Sequence, residues 1–176
     1  MNTRLADGDR RYARGGTATG LDLMGGKYEQ DLTALPKGFW NWREGQTIAW
    51  LVDLLDEQGR TVYRIHYQDS ASSAPYGFPP DLGDNKGIDV EILPVASWSN
   101  VTAYPEGLLK QTRPRLVVLS HWEDFFGGDP DDPKVLRAEK DVPGMIKKTK
   151  DSVPAGTVVV MPKPFSDISL PAAEVR

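Results

Sequence analysis

From residue 46 onward, runs of apolar and β-branched residues alternate with turn formers, and this pattern predicts the elements of a sheet. Thr47-Ile48-Ala49-Trp50-Leu51-Val52-Asp53-Leu54-Leu55 reads as a strand, and Thr61-Val62-Tyr63-Arg64-Ile65-His66-Tyr67 as a second. Asp56-Glu57-Gln58-Gly59 between them has turn chemistry, so the pair predicts an antiparallel hairpin. Ile88-Asp89-Val90-Glu91-Ile92-Leu93 is the next strand, expected to stop at Pro94. Tyr104 to Thr112 reads as a short helix with Pro105 in its first turn. Leu116-Val117-Val118-Leu119-Ser120 is nearly all apolar, as in a strand buried on both faces. Residues 134–150 read as partly helical, interrupted at Pro143-Gly144, and Thr157 to Met161 is the last strand.

Hairpin, strand, helix, strand, helix, strand in that order predicts an α/β domain: a mixed β-sheet with helices on one face. Two stretches fall outside these elements. Residues 1–35 are Gly-rich and follow neither a period of 2 nor one of 3.6, so they read as an irregular N-terminal segment. Residues 68–86 form a loop long enough to suggest a function of its own.

Composition narrows the chemistry. The chain has 176 residues, enough for one domain with a sizeable core. The net charge of -4 gives no basic surface to replace counterions on phosphates, so no nucleic-acid partner is expected. No apolar run approaches the ~20 residues a bilayer requires, and Met1 to Gly20 lacks an apolar signal core. No membrane association is therefore expected, and a cytoplasmic location is the default. There is no cysteine, which removes thiolate nucleophiles and Cys-ligated zinc. A metal site would have to use carboxylates and two histidines, His66 and His121.

Two positions then draw the eye. Asp69 follows the second strand, and His121 follows the buried strand in Ser120-His121-Trp122-Glu123-Asp124-Phe125-Phe126. Ligands of α/β sheets collect beyond strand C-termini, where a carboxylate and an imidazole can converge on a metal such as zinc. The plainer readings are an Asp that forms a turn and a His that makes a structural hydrogen bond. Glu123 and Asp124 are candidates to orient His121 or to substitute as ligands, or are solvated loop charges. His66 lies within a strand and faces either core or solvent, and Trp122, Phe125 and Phe126 read as packing.

Taken together and in order, these segments resemble the second half of the metallo-β-lactamase superfamily. The likeness runs through Gly45 to Val52, the strand ending at Asp69, Gly87-Ile88-Asp89-Val90, the helix from Tyr104, and Arg113 to His121. It covers about residues 37–165 of a proposed domain at 36–170. The resemblance implies half of an αββα sandwich and hydrolysis of esters, amides or phosphodiesters of a small-molecule substrate by metal-activated water. It implies one or two zinc ions, with Asp69 and His121 as metal ligands. The family's His-x-His-x-Asp-His motif cannot be present with two histidines. The expectation is therefore a truncated or degenerate member, inactive as an isolated chain, that pairs with a missing N-terminal half or with itself. A non-catalytic binding or assembly module is the alternative. A serine hydrolase using Ser70, Ser72 or Ser73 ranks last, for want of a Gly-x-Ser-x-Gly elbow.

Overall fold

The computed structural model describes residues 32–41, 48–124, 128–137 and 141–173. The chain divides into two compact units, one spanning 11–47 and the other containing 48–176. Within the first, residues 32–38 are irregular and Phe39–Asn41 form a turn of 3-10 helix. The irregular segment expected at 1–35 lies outside the described residues up to 31.

The second unit is an α/β layer pair. Strands β1 (Ala49–Leu55), β2 (Thr61–Gln68), β3 (Val90–Pro94), β4 (Leu116–Ser120) and β5 (Val158–Val160) lie side by side in sequence order. The β1–β2 pair is antiparallel, and each later pair is parallel. The hairpin turn closes where Asp56 accepts hydrogen bonds from the Gln58 and Arg60 amides, and Gly59 adopts φ +78°. Helices α1 (Glu106–Thr112) and α2 (Val142–Ser152) form the β3–β4 and β4–β5 crossovers, and the β2–β3 crossover is the long loop.

Both helices cover the same face. Leu108 and Leu109 of α1, and Val142 and Met145 of α2, bury against Leu93, Val117 and Leu119 of the sheet, with Trp98, Tyr104 and Trp122 closing the layer. The strand period of 2 puts Val90, Leu116 and Val118 on the opposite face. There Ile168 packs on them, the Tyr63 hydroxyl donates to the Pro171 carbonyl, and Arg115 donates to the Ala172 carbonyl at 2.7 Å. Trp50 and Val158, on the two edge strands of this face, stay 40% and 54% exposed.

Strand β3 stops at Pro94 as expected, and that residue's carbonyl accepts from the Tyr104 hydroxyl at 3.2 Å. The reading of the second helix needs correction. Pro143-Gly144 starts α2 and does not interrupt it. Proline has no N–H to lose in a first turn, and Asp141 caps the Gly144 amide at 2.8 Å. Upstream, Val135 bridges to Glu123 in extended pairing, so the described part of 134–141 is not helical. Asp141→Ala is expected to lower stability by about 1 kcal/mol, the usual worth of such a cap, measured by urea unfolding.

Candidate functional site

The parallel strands β2, β3 and β4 end at one edge of the sheet, and the predicted residues sit on that edge. Tyr67 pairs with Ile92, and Ile92 with Val118, so Asp69 and Ser120 stand at one level. One strand lies between them, which sets their backbones roughly 10 Å apart at about 4.8 Å per strand. Asp69 is exposed, and its carboxylate accepts from the Tyr67 hydroxyl at 3.1 Å.

His121 is half-buried and adopts φ +51°. Few side chains other than glycine and asparagine enter this region, and histidine is among the exceptions. The left-handed residue turns the chain sharply out of β4, while its carbonyl accepts from the Ala96 amide at 3.2 Å. The chain thus commits backbone strain at this edge, a feature that concentrates at functional positions.

Glu123 and Asp124 are occupied with local structure. A Glu123 carboxylate oxygen accepts from the Trp122 amide at 3.1 Å, and Asp124 lies 3.3 Å from the Arg137 guanidinium. Trp122 is core, its indole donating to the Pro162 carbonyl. Phe125 and Phe126 lie outside the described residues. Among the described residues no group of three or more His, Asp or Glu side chains is gathered to hold a metal ion. Catalytic zinc usually takes three protein ligands, so Asp69 and His121 supply suitable donor types but do not complete such a site.

A second polar cluster was not singled out from sequence. His66 and Glu91 are register partners on β2 and β3, facing the helix layer, with His66 Nδ1 2.5 Å from Glu91 Oε1. Their side chains are 1% and 0% exposed. Burial holds the Glu91 carboxyl above its ordinary range, opposed by His66 and Thr112 beside it. The Tyr104 hydroxyl is raised well above its usual range by burial, with the nearby Glu91 charge adding to it. Two residues along the same face of β2, Gln68 donates to the Gly77 carbonyl at 3.0 Å. His66 Nε2, Glu91 Oε2 and Gln68 Oε1 are buried without a hydrogen-bond partner. A sequence signal did exist: β4 reads as buried on both faces, so a Glu in the strand paired to it must find a partner.

A third cluster fixes the start of β2. Arg64, 3% exposed, grips both carboxylate oxygens of Asp53 (2.7 and 2.8 Å) and both of Asp84 (2.9 and 2.6 Å). It also donates to the Lys86 carbonyl at 2.8 Å. These bonds pin the far end of the long loop to the hairpin. At the opposite edge of the sheet, a cavity of about 500 Å³ is lined by Arg113, Arg115, Pro154 and Leu170. Both helices end beside it, and the Arg115 guanidinium there donates to the Ala172 carbonyl and lies 3.5 Å from the Asp89 carboxylate.

Comparison with known proteins returns no matching family, no similar curated protein and no similar solved structure. No helix among the described residues is long and apolar enough to cross a membrane.

Proposed function

We propose that this chain carries half of a metal-dependent hydrolytic site, contributing Asp69 and His121 and lacking hydrolase activity by itself. The observation that carries this reading is their shared placement past the C-terminal ends of two parallel strands, with Asp69 level with Ser120 and His121 the next residue along. The strained backbone of His121 supports it. Among the described residues no third His, Asp or Glu is gathered with them, and His66 is committed to Glu91 inside the helix layer, so a partner would supply the remaining ligands. The complementary half would cover the sheet face that leaves Trp50 and Val158 exposed. A second reading, a non-catalytic binding or assembly module, is favoured by the engagement of Glu123 and Asp124 in local bonds.

Zinc titration of the purified chain, followed by metal analysis, separates the two. The informative variants are Asp69→Asn and His121→Asn, because asparagine tolerates the positive φ that alanine would strain. A half-site gives weak zinc binding that each variant weakens by about tenfold or more, the factor set by about 1.4 kcal/mol of lost coordination. Ester and phosphodiester hydrolysis should stay at background throughout. Zinc binding that neither variant changes would leave the module reading.

A further inference from the structure

The cavity beside the N-terminal ends of β4 and β5 lies at the opposite end of the strands from Asp69 and His121, and its walls are tied together. The Thr157 hydroxyl donates to the Pro114 carbonyl at 2.7 Å, and the Val158 amide donates to the Arg115 carbonyl at 3.0 Å. These bonds lock residues 154–158 against 113–116, two of the segments that line it. Residues 169–171 form a third wall, fastened where the Tyr63 hydroxyl donates to the Pro171 carbonyl and Arg115 to the Ala172 carbonyl. At about 500 Å³ the cavity has the size of a small-molecule site, and its walls are in place before any ligand arrives.

The lining is apolar in part and cationic in part. Leu116 belongs to the core on this face, whereas Val158 and Leu170 stay 54% and 45% exposed. Large apolar side chains left open to water on a concave surface are what an apolar ligand covers. The charge comes from Arg113 and Arg115. Arg115 is spent on the Ala172 carbonyl and the Asp89 carboxylate. Arg113 is exposed, and no hydrogen bond or ion pair engages its guanidinium among the described residues.

The backbone at Arg113 is a separate observation. This residue ends α1 at φ +46°, with its amide donating to the Leu109 carbonyl at 3.0 Å. Glycine is the usual residue at such a helix end, because a Cβ at positive φ is strained. An arginine stands there against that preference, and strain of this kind concentrates where ligands are held.

We propose that this cavity binds a monocarboxylate with an apolar body, Arg113 holding the carboxylate while Val158, Leu170 and Pro171 cover the body. A guanidinium matches a carboxylate with two parallel N–H···O bonds, and it stays charged throughout the pH range in which proteins are folded. One uncommitted guanidinium balances one negative charge. Multiply charged phosphates fit less well, because both helices bring their C-terminal ends here and those ends carry partial negative charge.

Phenylbutyrate is the probe, with phenylbutanol as its neutral counterpart and sulfate as an anion without a body. Titration at constant ionic strength, followed by backbone-amide NMR, should shift residues 155–158 and 169–170 saturably, with a dissociation constant of about 1 mM or tighter. Arg113→Gln keeps the stem and removes the charge, and should weaken binding by about tenfold, the loss expected for one charge-assisted hydrogen bond. Arg113→Lys should lose less. Arg113→Gly should weaken binding as much as Arg113→Gln while raising the urea midpoint, because glycine relieves the strain. Leu170→Asp puts a like charge in the lining and should remove saturation below about 10 mM. Phenylbutanol should bind about tenfold more weakly than phenylbutyrate, and sulfate should leave these amides unmoved.

No saturable shift in the parent chain by about 10 mM, or shifts that Arg113→Gln and Leu170→Asp leave unaltered, would overturn the site. Phenylbutanol binding as tightly as phenylbutyrate would overturn the anionic head. Sulfate moving the same amides as strongly would overturn the apolar body. A lower urea midpoint for Arg113→Gly would make Arg113 a structural residue and overturn its part. Asp69→Asn, which tests the metal reading, should leave the phenylbutyrate affinity unchanged, so the two proposals fail separately.

Discussion

Replacing Glu91 by alanine is expected to cost about 3–5 kcal/mol of folding stability, whereas glutamine should be close to neutral near pH 7. The difference lies in what is left behind. Alanine strands the buried His66 imidazole and opens a cavity between β3 and α1. Glutamine keeps an acceptor for Nδ1–H and removes the cost of burying a carboxylate. The two variants should also separate with pH. Burial raises the folded Glu91 pKa above its unperturbed 4.5. An acid shifted upward contributes stability that is full below its unfolded pKa and is lost as pH rises through the folded one. The parent should therefore lose ground to Glu91→Gln as pH climbs from about 4.5, the unperturbed value. Urea midpoints across that range, compared at equal m-values, measure both effects.

Arg64→Met should remove about 3 kcal/mol, near the low end for breaking a buried ion pair. Asp84 is 44% exposed and can rehydrate when its partner goes, but Asp53, 15% exposed, cannot do so as freely. The acid limb carries the signature. Arg64 holds the Asp84 carboxyl down to about 2 from an unperturbed 3.8. An acid shifted downward contributes stability that is present above its unfolded pKa and lost as pH falls through the folded one. The parent should thus lose stability between about pH 4 and pH 2, and Arg64→Met should lose less over that interval. Asp53→Asn added to Arg64→Met should recover part of the loss at pH 7, because it removes the stranded charge. The loop should respond as well, with faster amide exchange at 84–87 once its anchor is gone.

Local signals explain why so much of the sheet was readable. Thr61 to Gln68 is β-branched and aromatic, Leu116 to Ser120 is apolar throughout, and Asp56 to Gly59 closes a turn by its own side chain. Each of these is settled within ten residues, where propensity and hydrogen bonding act without help from the rest of the chain. The start of α2 was misread because proline breaks a helix interior and suits its first turn, and only the capping Asp141 tells the two apart.

The placement of the candidate site divides in the same way. That Asp69 and His121 each follow a strand can be read from the residues, because strand ends are local. That the two strands run parallel, with one between them and their ends level, is a matter of register, fixed by pairing between segments more than twenty residues apart. The turn His121 makes at positive φ was not legible, since histidine has no preference strong enough to announce it.

By itself, then, the sequence determined the α/β class, the hairpin, the strand order's ingredients, and a chemistry limited to carboxylates and two imidazoles. Tertiary structure alone decided that His66 meets Glu91, that Arg64 gathers two aspartates from separate segments, and that Gln68 holds the long loop at Gly77. The reason is physical. Periodicity says that a side chain faces inward, but a buried charge is tolerable only against a specific partner. That partner is supplied by the register of another strand, which no local pattern encodes.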